Sequence, residues 1–127
     1  MSAGHRILVI EDDPSIRDHL VRMREFEGFR VETAVDGREG ILKARDLVPD
    51  VVICDLLMPG VNGFGACRVL RDDPVTSGIP TIVISALGSP SDREKIEELG
   101  VDAYLSKPFR NQDLIDALDR CLGPRAS

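Results

Sequence analysis

The chain has 127 residues, 43% of them hydrophobic, and a formal net charge of −6, which suits one compact domain around one core. No stretch approaches the roughly 20 apolar residues needed to cross a bilayer, and Met1 to Arg6 lacks the apolar centre of a signal peptide, so a cytoplasmic location is expected. Lysine and arginine are scattered rather than gathered into a stripe, which argues against direct nucleic-acid contact by this chain.

Arg6 to Ile10 is the first of five short apolar runs rich in β-branched residues, each of which predicts a strand. Asp13 as N-cap and Pro14 at the first helical position then open a helix with Ile16, Leu20 and Met23 as its buried stripe, and Gly28 stops it. The second strand is expected at Phe29 to Thr33. The second helix starts near Asp36, with Glu39 three residues on in a capping-box relation. Val51 to Cys54 predicts the third strand. A third helix near Gly63 to Arg71 must form despite two helix-disfavouring residues, Gly63 and Gly65. Thr81 to Ser85 is the fourth strand, followed by a helix from about Ser91, paired with Glu94 as a second capping box and stopped by Gly100. Ala103 to Leu105 is the fifth strand. The last helix, from about Asn111, puts Leu114, Leu118, Cys121 and Leu122 on one face. Residues 123–127 read as a tail or the start of a linker, which leaves 5–122 as the domain.

Strict alternation of strand and helix implies a parallel sheet covered on both faces, a doubly wound three-layer α/β fold. In such folds ligands bind at the carboxyl ends of the strands. Glu11 and Asp12 follow the first strand, Asp55 the third and Lys107 the fifth, while Ser85 ends the fourth. Three carboxylates brought together resist ionisation unless a cation neutralises them, and Mg²⁺ suits such a set because it takes carboxylate and phosphate oxygens. Lys107 and the Ser85 hydroxyl can hold a phosphoryl group, and Asp55, between metal and ammonium, is the natural nucleophile.

Each residue alone has a plainer reading. Asp13 is a helix cap first. Glu11 and Asp12 fit a solvated loop, Asp55 ahead of Met58, Pro59 and Gly60 fits a turn, and Lys107 before Pro108 fits a surface charge. The coincidence at four strand ends is what carries the site. Elsewhere, His5 and His19 are expected at exposed positions, and Cys54, Cys67 and Cys121 as small reduced core residues that form no zinc motif. Cys54 should face away from Asp55, since side chains alternate along a strand.

From about His5 to Leu122 the chain resembles the receiver domains of bacterial response regulators. The resemblance rests on the run Ile7 to Pro14 with its acidic pair, on Asp50 to Gly60 around Asp55, on Ser85-Ala86, and on Lys107-Pro108-Phe109, in the family's order. It implies a flavodoxin-like (βα)5 sandwich with strand order 2-1-3-4-5. It also implies that Asp55 accepts a phosphoryl group from a sensor histidine kinase or a phosphotransfer protein. Asp12, Asp55 and the Leu57 carbonyl would ligate Mg²⁺, with Mn²⁺ as a substitute, and Glu11 would act through a coordinated water. Ser85 and Lys107 would hold phosphoryl oxygens, and Ala86 would leave room for them. Leu57 and Leu87 would flank the path of the hydrolysing water. The peptide before Pro108 would be cis and aim Lys107 inward. Ser85 and Tyr104 would act as the switch, changing an effector face on the fourth helix, fifth strand and fifth helix. Glu11 in place of the commoner Asp and Ser85 in place of Thr keep the chemistry of their positions.

Many DNA-binding members carry two consecutive acids before the tyrosine of the fifth strand, whereas Asp102 is followed here by Ala103, so a monomer is expected. Two rivals share the α/β plan. A Mg²⁺-dependent phosphohydrolase with an aspartyl nucleophile would need an acid two residues on, where this chain has Leu57. A flavodoxin-like cofactor module would need a phosphate loop where Glu11-Asp12-Asp13 would repel an anion.

Overall fold

The structure is a computed structural model that describes residues 5–56, 63–85 and 90–122, and of these the side chains at 23–27 and 90–92 are outside the description. Five strands alternate with five helices: β1 (Arg6–Ile10), α1 (Pro14–Glu27), β2 (Arg30–Ala34), α2 (Gly37–Leu47), β3 (Val51–Asp55), α3 (Gly63–Asp72), β4 (Thr81–Ser85), α4 (Pro90–Leu99), β5 (Ala103–Ser106) and α5 (Asn111–Leu122). All pairings are parallel, in the order β2-β1-β3-β4-β5. Among the described residues, no helix is long and apolar enough to cross a membrane.

Alternation along the strands divides the apolar residues into two cores. Ile7, Val9, Val51, Ile53, Ile82 and Ile84 face Leu20 of α1 and Leu114 and Leu118 of α5. Leu8, Ile10, Val52, Cys54 and Val83 face Ala44, Cys67, Leu70, Ile96 and Leu99 on α2, α3 and α4. Strands flanked by helices on both sides have no wet face, which is why β3 and β4 are buried at every position.

Local signals place most boundaries. The Asp13 carboxylate accepts from the Ser15 amide at 2.8 Å, and the Asp36 carboxylate from the Glu39 amide at 2.8 Å. The capping box of α2 is only half made, because the Glu39 side chain pairs with Lys43 along the helix instead. Gly28 and Gly100 stop their helices at φ of 76° and 68°. The end of α2 carries no such signal: Val48 takes the left-handed cap position at φ 43° and donates its amide to Ala44 O. A β-branched residue is strained there, so sequence alone gave no stop at this point.

The third helix forms despite its glycines, for a reason that lies outside the helix. A Cβ on Gly63 would overlap the carbonyl oxygen of Asp55 and the Cα of Leu56, and would come within 2.8 Å of the Asp55 carbonyl carbon. Gly63 lets α3 begin directly against the end of β3, and packing outweighs propensity. His5 departs from the exposed position expected of it. It is half-buried, its ring stacked on Phe29 at 6.5 Å between centroids. His19 is exposed, as expected, and bonds to Asn111. Cys54 and Cys67 are core residues, whereas Cys121 is only partly buried at the edge of the α1/α5 core.

Candidate functional site

Sheet register assembles the polar strand ends. Ile10 lies between Ala34 and Cys54, so the residues that follow, Glu11 and Asp55, emerge side by side. The Glu11 amide extends the ladder one bond further by donating to Ala34 O at 2.9 Å. On the other side, Ser85 pairs in register with Ser106, and the Lys107 amide donates to Ser85 O at 2.8 Å. The Lys107–Pro108 peptide is cis.

Lys107 Nζ reaches across the edge to two carboxylates, Asp55 Oδ2 at 2.9 Å and Glu11 Oε1 at 3.1 Å. Glu11, Asp12 and Asp55 each bring one carboxylate oxygen to within 4.8 Å of the others. Glu11 is fully buried and Asp55 is 3% exposed, while Asp12 lies in solvent. Glu11 Oε2 accepts from the Asp13 amide at 3.2 Å. Among the described residues its Oε1 is buried without a well-aligned hydrogen bond and pairs with Lys107.

The electrostatics follow from that crowding. Burial, then hydrogen bonding and repulsion between the two carboxylates, push the Glu11 carboxyl up from 4.5 to about 7, although the Asp13 amide and Lys107 pull it down. For Lys107, burial lowers the affinity for its proton, but the hydrogen bonds and charges of Asp55 and Glu11 outweigh it and raise it overall. A single ammonium therefore does not neutralise three acids. The surplus of hard oxygen donors, with a buried Glu11 oxygen short of a well-aligned hydrogen bond, fits a divalent cation such as Mg²⁺.

Glu11, Asp12, Asp55, Ser85 and Lys107 thus lie at one edge of the sheet, and Ser85 is fully buried there. Tyr104 sits half-buried on β5, against the core shared with α3 and α4. Leu57, Ala86 and Leu87 lie outside the described residues. An apolar hollow of about 390 Å³ beside the site is lined by Ser15, Ile16, His19, Lys107, Pro108 and Phe109, and none of the three carboxylates faces it. Two residues escaped sequence reasoning. Gly63 makes the close approach to Asp55, and Arg17 donates to the carbonyl oxygens of Glu11 and Asp12 at 3.0 and 2.9 Å. Only the position of Arg17 one turn beyond the Asp13 cap hinted that it could reach back.

The response regulator receiver domain family matches the chain over residues 7–119. The DNA-binding dual master transcriptional regulator RpaA of Synechocystis is 41% identical over 110 residues, covering 87% of this chain and 46% of its own length. The DNA-binding response regulator MtrA of Mycolicibacterium smegmatis is 40% identical, covering 87% of this chain and 47% of its own length. The chain therefore spans about half the length of the curated relatives it matches. Among solved structures, the chemotaxis protein CheY4 of Vibrio cholerae superposes with a TM-score of 0.87 at 32% identity, covering 94% of this chain and 100% of that one. The receiver domain of the sensor histidine kinase PA1611 of Pseudomonas aeruginosa, with a magnesium ion coordinated in its active-site cleft, superposes with a TM-score of 0.87 at 30% identity, covering 96% and 100%.

Proposed function

Because this chain belongs to the response regulator receiver domain family, whose members are phosphorylation-controlled switches, we propose that Asp55 is its phosphoacceptor and that residues 5–122 form the receiver unit. A carboxylate oxygen of Asp55 attacks the phosphorus of a phosphohistidine on a sensor histidine kinase or phosphotransfer protein. The P–N bond breaks and the imidazole leaves. Asp12, Asp55 and the Leu57 carbonyl, with Glu11 in support, would hold Mg²⁺ or, in its stead, Mn²⁺, which when bound would neutralise the carboxylates and the phosphoryl oxygens.

Lys107 stays charged throughout and moves its ion pair from Asp55 to a phosphoryl oxygen. Ser85 donates its hydroxyl to another, and Ala86 leaves the group room. The cycle ends when water attacks phosphorus, the Asp55 carboxylate leaves and inorganic phosphate departs. The chain turns over only its own phosphate. Since the phosphodonor kinase draws on ATP, the exchange is a cytoplasmic one. The observation that carries this reading is Lys107 bridging Glu11 and Asp55 beside a cluster of three carboxylates.

The output is conformational. Ser85 moves toward the phosphoryl group, Tyr104 turns inward, and an effector reads the changed face of α4, β5 and α5. With Ala103 after Asp102, that face lacks one acid for a salt-bridged dimer, and the chain stays monomeric when activated. Light scattering of the beryllofluoride-treated protein tests this, and a tight dimer through α4 and α5 would refute it. The phosphorylation itself is tested with acetyl phosphate and Mg²⁺. Wild type should take up one phosphate, and Asp55→Asn none while keeping its far-ultraviolet spectrum. Phosphate mapped by mass spectrometry to another residue would overturn the assignment, and multiple turnover of phosphomonoesters would favour a phosphohydrolase.

A further inference from the structure

The structure assigns Arg17 a part in building the metal site: we propose that it is a positioning residue whose guanidinium sets the direction of the Asp12 and Glu11 carboxylates toward the cation. This rests on reading Glu11, Asp12 and Asp55 as the Mg²⁺ site. Arg17 Nη1 donates to Glu11 O at 3.0 Å and to Asp12 O at 2.9 Å. These two carbonyls belong to the two peptide planes that flank the Asp12 Cα. A peptide unit is planar, so fixing both planes fixes φ and ψ of the residue between them, and with them the direction of its Cα–Cβ bond. Asp12 is exposed, so packing does little to orient its side chain. Its backbone is what aims its carboxylate.

The second plane reaches Glu11 as well. The peptide that carries Asp12 O also carries the Asp13 amide, and that amide donates to Glu11 Oε2 at 3.2 Å. One guanidinium thus holds the plane whose other side orients the buried Glu11 carboxylate. The remaining anchors lie at the ends of the loop: the Glu11 amide on Ala34 O at 2.9 Å, and Asp13 capping α1 through the Ser15 amide at 2.8 Å. Arg17 alone among the described residues donates a side-chain hydrogen bond to the carbonyls of Glu11 and Asp12. Partners of this kind behind metal ligands typically change affinity by about 10- to 100-fold when removed.

A simple charge argument predicts the opposite sign. A cation hydrogen-bonded to the backbone of the ligand residues repels Mg²⁺, so its removal should tighten binding if Arg17 acted only as a charge. Positioning and electrostatics are thereby separable in one titration. Mg²⁺ binding to the full chain, followed by calorimetry, should weaken about tenfold or more in Arg17→Met, with amide hydrogen exchange accelerated at Asp12 and Asp13. Arg17→Lys, whose ammonium can donate to both carbonyls, should recover most of the affinity. Unchanged or tighter binding in Arg17→Met would overturn the proposal. If Arg17→Met does not fold, the wild-type protein decides: nitrogen-15 spectra should show hindered rotation and slow exchange of the Arg17 Nη protons, and freely averaging protons would overturn it. Failure of wild type itself to bind Mg²⁺ would instead overturn the metal-site reading, so the two failures are distinguishable.

Discussion

A buried carboxyl raised to about 7 makes the metal-free protein sensitive to pH in a calculable direction. Folding raises the Glu11 value from 4.5 to about 7, so between those limits the folded state holds a proton that the unfolded state has released. Stability from this group is complete below pH 4.5, falls through the window and is lost above about pH 7. At about 1.4 kcal/mol per unit, the whole loss is about 3 kcal/mol, and relaxation of the loop makes that an upper bound. Removing the charge in Glu11→Gln removes the window. Urea denaturation in the presence of EDTA, followed by circular dichroism from about pH 5 to about pH 8, should show wild type losing about 2 to 3 kcal/mol more than the variant. Saturating Mg²⁺ should flatten the wild-type curve, because a bound cation stabilises the ionised carboxylate. Parallel curves for wild type and Glu11→Gln without metal would refute the assignment of the strain to Glu11.

Gly63→Ala should destabilise the fold by about 1 to 3 kcal/mol despite alanine's better helix propensity, because the new methyl meets backbone atoms of Asp55 and Leu56 that cannot step aside; an unchanged denaturation midpoint would count against that close approach. Val48→Asn should stabilise by about 1 kcal/mol, since asparagine tolerates the left-handed cap and Val48, at 52% exposed, has little packing to lose. A lower midpoint for Val48→Asn would show that the exposed side chain contributes more than its strain costs. If Leu57 and Leu87 flank the water path as the family resemblance implies, Leu57→Asn combined with Leu87→Glu should speed loss of phosphate from Asp55 at saturating Mg²⁺, because groups able to orient the attack replace apolar ones; equal decay rates would mean that the leucines turn aside.

Much of this protein is legible along the chain. Apolar β-branched runs, the Asp13 and Asp36 caps and the stops at Gly28 and Gly100 are local features, and they located ten elements to within a few residues. Alternation of strand with helix implies a parallel sheet, and that puts Glu11, Asp12, Asp55, Ser85 and Lys107 at one edge of it. The tertiary structure decided what depends on distance between segments far apart in sequence. Lys107 bridges two carboxylates rather than one, Glu11 is wholly buried, and its acidity follows from that burial. Gly63 looked like a weakness in a helix and is instead the contact that lets α3 start against Asp55. Arg17 lies within six residues of the carbonyls it holds, yet its place one turn beyond the Asp13 cap is only a hint, because periodicity tells which face a side chain occupies and not which atoms its end can reach. Spacing in sequence constrains direction, whereas hydrogen bonds and charges act over a few ångströms that only the packed fold sets.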